Sequence, residues 1–362
     1  MARKIDYLTI QGFKSIERLD NLKLNDINIL IGANGAGKSN FVSYFSMLRE
    51  LVEQRLQVWV AKQGGANYIL THGVKYTNSL SSRIIIGDHY YEFHLTPTDN
   101  EALIFLNEEY SNFSTQGIGY LESNLEQLDL FIEEQYHGLT RIKDFVKEIN
   151  SLKIFHFHDT SNSAGMKLNQ PLQQSSYLMP HAENLAPYLF DMQSYYPDTY
   201  QLIRRTIQLA IPFFDDFHLE PRLLANSDEQ IRLYWKQKDS DYILSPTQFS
   251  DGSLRFICLV TALMQPNPPS TIIIDEPELG LHPYALTLLA SLIKSASTKM
   301  QVIVSTQSVP LLNHFSLEDL IVVERENNAS VFKRLNEEEF ADWLEDYSVG
   351  ELWEKNILGG RP

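Results

Sequence analysis

The stretch Gly32-Ala33-Asn34-Gly35-Ala36-Gly37-Lys38-Ser39 constrains this chain more than any other, because it satisfies G-x-x-x-x-G-K-[S/T] without a deviation. Its glycines let the backbone curl until successive N–H groups face one anion, at the positive end of the helix that follows. Lys38 is placed to reach the β- and γ-phosphates of a nucleotide, and Ser39 to ligate Mg²⁺ through its hydroxyl. The flanks suit the motif. Asn28–Ile31, with Ile27 before it, is a short apolar run of buried-strand length. Beyond the loop, Phe41, Tyr44, Phe45, Leu48, Leu51, Val52 and Leu56 recur at helical spacing from Asn40 to about Ala61. A glycine-rich strand-to-helix turn without a ligand is disfavoured by this matching context. Strand, phosphate loop and helix in that order, among alternating strands and helices, place the chain in the α/β class.

Two further stretches carry chemistry. Thr271-Ile272-Ile273-Ile274-Asp275-Glu276-Pro277 is a β-branched run ending in two carboxylates. A strand entering the sheet beside the phosphate loop would bring Asp275 to the Mg²⁺ shell and leave Glu276 to polarise an attacking water. Like charges at close range do not share one site easily, so the two take different tasks. Alone, the stretch reads equally well as an acidic strand end stopped by Pro277. About 20 residues earlier, Ser250 and Gly252 of Phe249-Ser250-Asp251-Gly252-Ser253-Leu254-Arg255 open a helix that continues through Phe256, Leu259, Val260 and Leu263. By itself this is an N-capped core helix. Read with the loop and the carboxylates, its hydroxyl, glycine N–H and dipole form a second anion site. One chain does not easily bring both anion sites to the same γ-phosphate; two chains arranged head to tail can.

Elsewhere, residues 5–10 alternate as a strand stopped by Gly12, and Ser82–Ile86 with Tyr90–Leu95 reads as a hairpin around Gly87-Asp88. A helix is expected from about Gln127 to Ile149 within a polar, acidic insertion, a strand over Ile154–Phe157, and helices across 181–210. A strand is expected over 229–236, buried parallel strands at Thr271–Ile274 and Gln301–Val304, and a hairpin from Leu320–Glu324 and Ser330–Leu335.

With these motifs in order, the chain resembles the ABC-type ATPase heads of the RecF, SMC and OLD-like superfamily. Ile10-Gln11-Gly12-Phe13-Lys14-Ser15-Ile16 looks like their N-terminal strand-turn, Glu276-Pro277-Glu278-Leu279-Gly280-Leu281-His282-Pro283 like their D-loop segment, and Ser305-Thr306-Gln307-Ser308 occupies the switch position. The ending, Gly350-Glu351-Leu352-Trp353 through Gly359-Gly360-Arg361-Pro362, resembles stand-alone bacterial AAA family ATPases of this branch. The resemblance covers roughly 1–50 and 245–362, and residues 60–240 match only in general layout.

It implies a P-loop NTPase of ABC-ATPase-head type, with a mixed sheet core, an inserted and mostly helical second lobe, and no long coiled coil. Lobe I would comprise 1–98 and 246–362, and the insertion and helical lobe 99–245. The cofactors implied are ATP and Mg²⁺, held by Gly32, Ala33, Asn34, Gly35, Ala36, Gly37, Lys38, Ser39 and Asn40, with Ser39 and Asp275 at the metal. Glu276 would be the general base, Lys38 and Gln307 would assist it, and Ser250 and Gly252 would act in trans. Lys14 would approach the phosphates or adenine, and Gly280 and His282 lie where the D-loop crosses the dimer interface. His282 reads as structural, capping a helix before Pro283. The switch position usually holds His, and Gln307 hydrogen-bonds without titrating, which implies slow hydrolysis or a rate less sensitive to pH. The Q-loop glutamine has several candidates: Gln170, Gln173 and Gln174, or the cluster Phe155-His156-Phe157-His158-Asp159 in its place. That cluster reads as a strand end lining the nucleotide site rather than a separate metal centre.

Composition then limits the partners. The 30 Lys and Arg against 46 Asp and Glu give a net charge of −16, which argues against general polyanion binding. The acidity is concentrated: three cations face ten anions over 100–150 and three face twelve over 318–354, whereas 1–60 is nearly neutral. DNA is therefore the weaker reading, through a patch that would include Arg204, Arg205, Arg222 and Arg232. The interval 40–249 lacks sustained heptads and contains Pro97, Pro171, Pro180, Pro187, Pro197, Pro212 and Pro221, so a long coiled coil is excluded. About 55 residues follow the switch strand, too few for an appended nuclease domain. The expectation is an ATP-dependent homodimer or higher homo-oligomer gating a separate effector, a nuclease or toxin in anti-phage defence or DNA maintenance. A RecF-like repair ATPase and an ATP-binding scaffold with little turnover are the alternatives. One cysteine, Cys258, and no apolar run near the ~18 residues of a membrane span fit a cytoplasmic location without membrane contact.

Overall fold

The computed structural model describes residues 4–111, 113–114, 118–136, 142–223 and 228–361. Its centre is a six-stranded sheet in the order Ala329–Arg334, Leu320–Glu326, Ile27–Ile31, Gln301–Ser305, Thr271–Asp275, Lys153–Phe155. All neighbours run parallel except the Ala329–Arg334 edge. Parallel strands are buried on both faces, and here the alternation divides them between two cores. Ile29, Ile31, Ile272, Ile274, Val302, Val304, Leu320 and Val322 enter one core. Leu30, Ile273, Ile303, Ile321 and Val323 enter the other.

The second core is shared with the helix Lys38–Val52, through Phe41, Tyr44, Phe45 and Leu48, and with an antiparallel sheet. That sheet runs Ile16–Lys23, Tyr7–Phe13, Leu80–Ile86, His89–Pro97, Leu103–Tyr110, Phe113–Ser114. The first core packs the opposite face of the central sheet against the helices Asp251–Leu263, Pro283–Ser297, Leu185–Tyr195 and Pro197–Ala210. The mixed sheet, the inserted helices and, among the described residues, the lack of a long coiled coil agree with the expected fold class.

Several elements differ from expectation for identifiable reasons. The helix expected from Asn40 to Ala61 is two, Lys38–Val52 and Leu56–Lys62. Gln54 takes φ 55° and Arg55 N–H donates to Glu50 O at 2.8 Å, which closes the first helix. Glu122, far away in sequence, then accepts from Leu56 and Gln57 N–H at 2.7 and 3.0 Å and caps the second. The expected helix 127–149 is also two, Leu125–Tyr136 and Ile142–Ser151, with 137–141 outside the described residues. The expected strand 229–236 is split between Glu229–Ile231 and Tyr234–Gln237, which belong to different small sheets.

The insertion expected to be polar and mostly helical contributes the strand Leu103–Tyr110, paired to His89–Pro97 across the boundary drawn at residue 98. Its acidic look misleads, because Glu108 is fully buried. The carboxylate accepts from Tyr91 Oη at 2.6 Å, Ser123 Oγ at 2.5 Å and Asn124 N–H at 2.8 Å. Burial raises its pKa, and these donors oppose that rise. Asp129 is buried too and pairs with Lys143 at 3.1 Å.

At the other end of the chain, the helix Val349–Glu354 buries Trp353 completely, and its indole N–H donates to Gly360 O at 2.7 Å. Gly360 N–H donates in turn to Glu324 at 2.8 Å. A Cβ on Gly360 would lie 3.5 Å from the Cα of Gly32 at the start of the phosphate loop. Trp353→Ala is expected to cost about 3–5 kcal/mol through the cavity, and Trp353→Phe, which removes the N–H while keeping an aromatic ring in the pocket, about 1 kcal/mol. Urea unfolding of the two variants checks the ranking.

Candidate functional site

The phosphate loop leaves the centre of the parallel sheet, where the strand Ile27–Ile31 ends. Two of its glycines are forced by close neighbours. A Cβ at Gly32 would fall on the Val323 carbonyl, and one at Gly37, whose φ is 119°, on the Ser330 hydroxyl. Ser330 Oγ donates to Ala36 O at 2.5 Å and meets Ser15 Oγ at 2.6 Å, while Asn40 Nδ2 donates to Ser15 Oγ at 2.7 Å. Asn40 therefore steadies the loop from behind. Sequence reasoning did not single out Ser330, whose position on the antiparallel edge strand gives no local signal.

Lys38 is buried inside the loop and donates to Gly32 O at 2.6 Å and Ala33 O at 3.1 Å. Burial lowers its pKa, against the pull of Glu276, Asp275 and Glu278. The N-cap Gly37 offers no side chain to the helix Lys38–Val52, so that no side-chain cap competes for its leading N–H groups.

The strand Thr271–Asp275 is not beside the loop strand. Gln301–Ser305 lies between them, in register with both, because the switch strand is the central partner of each. Adjacency is thus supplied by the switch strand, and all three strands end at the same edge. Glu276 takes φ 46° and donates its N–H to Ser305 O at 2.8 Å. Gln307 Nε2 donates to Asn34 Oδ1 at 2.6 Å and Glu276 Oε1 at 3.3 Å, bridging the phosphate loop and the acidic strand. The Gln307 N–H donates to Glu278 Oε1 at 2.9 Å, and burial pushes the Glu278 carboxyl above the usual range.

Asp275 Oδ1 and Ser305 Oγ are buried without a hydrogen-bond partner. Asp275 and Ser39 line one cavity of about 300 Å³, together with Ser43, Trp59, Gln63 and His156. A carboxylate with an unpartnered buried oxygen, lining the same cavity as a serine hydroxyl, suits a divalent cation, so these residues fit Mg²⁺ with a nucleotide. Lys14, at φ 48°, donates to Ser43 Oγ at 2.7 Å and Gln63 Oε1 at 3.0 Å and lies over the Trp59 ring. It stands behind three residues that line this cavity without lining it itself, and burial lowers its pKa.

The glutamines Gln170, Gln173 and Gln174 do not line the cavity, and Gln170 instead hydrogen-bonds Gly165 O at 2.8 Å beside a small sheet. His156 does line it, with Nδ1 3.9 Å from Asp275 Oδ2. Burial lowers the His156 pKa, Asp275 opposes, and His158 and His181 lower it further. His158 meets Asp275 O at 3.0 Å.

Ser250 and Gly252 lie elsewhere. The helix Asp251–Leu263 packs into the core opposite the one holding the loop helix. Ser250 accepts from Ser253 N–H at 3.1 Å, and a Cβ on Gly252 would fall on the Gly280 carbonyl. Arg255 fastens this end by donating to Phe157 O, His158 O and Leu279 O at 3.0, 2.8 and 3.0 Å. His282 caps the helix Pro283–Ser297 by accepting from Tyr284 N–H at 3.3 Å.

Of the arginines named for DNA, Arg205 and Arg222 are exposed, and Arg222 and Arg232 both lie over the Tyr234 ring, whereas Arg204 and Arg232 are engaged within the chain. Arg204 pairs with Asp215 at 2.7 Å and Asp216 at 3.5 Å, and Arg232 donates to Lys167 O at 2.9 Å. Among the described residues, no helix is long and apolar enough to cross a membrane.

Residues 27–313 match the family model described as "AAA domain, putative AbiEii toxin, Type IV TA system", and the chain belongs to that family. Among solved structures it is similar to an SMC head bound to the C-terminal winged-helix domain of ScpA, at TM-score 0.62 and 13% identity, covering 94% of this chain and 99% of that one. It is also similar to an SMC head with an extended coiled coil bound to the C-terminal domain of ScpA derived from Pyrococcus furiosus, at TM-score 0.53 and 14% identity, covering 95% and 99%. The comparison with curated proteins gives no match. The class is therefore a nucleotide-binding AAA ATPase domain with the fold of SMC heads.

A Cβ at Gly252 must displace the Gly280 backbone. Gly252→Ala is therefore expected to destabilise the protein by about 1–3 kcal/mol, read as a lowered urea midpoint with an unchanged slope.

Proposed function

We propose that the protein is an ATP-binding and slowly hydrolysing switch whose head-to-tail dimerisation gates a separate effector, a nuclease or toxin in anti-phage defence or DNA maintenance. The observation that carries this reading is that the helix after the phosphate loop and the helix opened by Ser250 and Gly252 pack into separate cores on opposite faces of one sheet. A second copy, turned head to tail, supplies the missing half. The solved SMC heads named above are bound to a separate protein, ScpA, which supports a partner in trans here.

In the chemistry proposed, Lys38 and the loop N–H groups bind the β- and γ-phosphates, and Ser39 and Asp275 face the cation. Mg²⁺, when bound with ATP, neutralises charge on the phosphate oxygens. Glu276 takes a proton from the water whose oxygen attacks the γ-phosphorus, and the bond to the β-phosphate oxygen breaks to release ADP. Gln307, already within hydrogen-bonding reach of both Asn34 and Glu276, orients that water or the γ-phosphate by amide donation. Ser250 and Gly252 of the opposing copy close on the γ-phosphate.

Glu276→Gln is expected to lower turnover by about 10²–10⁴-fold and, with ATP, to shift the protein toward a dimer on size measurement. If neither wild type nor Glu276→Gln ever shifts, the head-to-tail arrangement is wrong. Mixing offers a sharper check. Lys38→Ala and Ser250→Arg are each expected to be inactive, and their mixture to regain activity, because a mixed dimer keeps one intact composite site. No recovery on mixing would argue for a site built within one chain. Gln307→His is expected to give turnover a new titration near the ordinary histidine pKa of about 6.5, visible when its pH profile is overlaid on that of wild type.

A further inference from the structure

One residue of the cavity has no task in the scheme above. His156 follows the edge strand Lys153–Phe155, which runs parallel to Thr271–Asp275 with Phe155 opposite Ile274. Register alone therefore sets His156 level with Asp275, and the backbone is pinned there. His156 N–H donates to Pro180 O at 3.0 Å, and His181 Nδ1 meets His156 O at 3.0 Å.

The ring lines the same cavity as Ser39 and Asp275. Its Nδ1 is 3.9 Å from Asp275 Oδ2, beyond hydrogen-bonding reach, and neither ring nitrogen makes a hydrogen bond among the described residues. Asp275 Oδ1, buried in the same wall, lacks a partner as well. The other two histidines nearby are engaged: His158 meets the Asp275 carbonyl, and His181 holds the backbone of His156. An imidazole, a carboxylate with one unpartnered oxygen and a serine hydroxyl thus line one space.

We propose that His156 donates a ring nitrogen to the divalent cation of the nucleotide site. The proposal rests on the nucleotide reading above and deepens it. A nitrogen ligand changes which cation the site prefers. Mg²⁺ takes oxygen ligands and retains water, whereas imidazole favours first-row transition cations. The site is accordingly biased away from Mg²⁺ relative to one lined by oxygen alone.

The test uses the whole chain with Mn²⁺ and a non-hydrolysable ATP analogue, read by electron spin-echo envelope modulation. A directly bound ¹⁴N is expected in wild type, and labelling the protein's histidines with ¹⁵N distinguishes imidazole from adenine nitrogen. The signal should vanish in His156→Gln and persist in His158→Gln. In parallel, the ratio of Mn²⁺ to Mg²⁺ affinity with bound analogue should fall on the order of tenfold in His156→Gln, with thermal unfolding confirming that the variant is folded. Nucleotide and Mn²⁺ bound together without a histidine nitrogen would overturn the assignment while leaving the nucleotide reading intact. Persistence of the signal in His156→Gln would overturn it equally. Failure of wild type to take up the nucleotide at all would remove both.

Discussion

The candidate nucleotide cavity depends on strands running the same way. Because Ile27–Ile31, Gln301–Ser305, Thr271–Asp275 and Lys153–Phe155 are parallel and in register, their carboxyl ends arrive at one edge of the sheet. The phosphate loop, Gln307, Asp275 with Glu276, and His156 are simply the residues that come next on each strand. The β-branched runs that make these strands are also what bury them on both faces, so the site's geometry is held by two cores at once. A shift in one strand would move its carboxyl-end residues out of line with the rest and exchange the two cores' side chains.

How far the sequence could be read follows from how local each feature is. The phosphate loop, the Thr271–Asp275 strand and the helix start at Ser250 are contiguous, and each residue's neighbours in sequence specify its conformation. The hairpin of Leu320–Glu326 and Ala329–Arg334 was legible for the same reason, its turn resting on Asn327 and Asn328 at φ 50° and 67°. What stayed hidden is made at long range. Glu122 caps a helix some 65 residues earlier. Ser330 clamps the loop from nearly 300 residues away. The order of the acidic and switch strands is a matter of topology, which their composition does not encode.

Charge shows the same limit. The stretch 100–150 reads as a polar, acidic insertion, yet within it Glu108 and Asp129 are buried with dedicated donors. Buried carboxylates of this kind need every lone pair satisfied, and they tie the strand Leu103–Tyr110 to the loop before Leu125–Tyr136. The interior electrostatics of the antiparallel layer are therefore local and closed. Near the phosphate loop, by contrast, Asp275 Oδ1, Glu278 Oε2 and Ser305 Oγ have no internal partner, three of the five such buried side-chain atoms among the described residues.

The contact of Gly360 with Gly32 joins two parts of the molecule that the sequence keeps farthest apart. Its amide is spoken for by Glu324, its carbonyl by Trp353, and its Cα side by the first glycine of the loop. The loop's outer flank is consequently splinted by the C-terminal segment rather than left to the solvent. A side chain at Gly360 would crowd Val322 and reach the start of the loop, so the smallness of this residue, like that of Gly32, keeps the loop's flank closed.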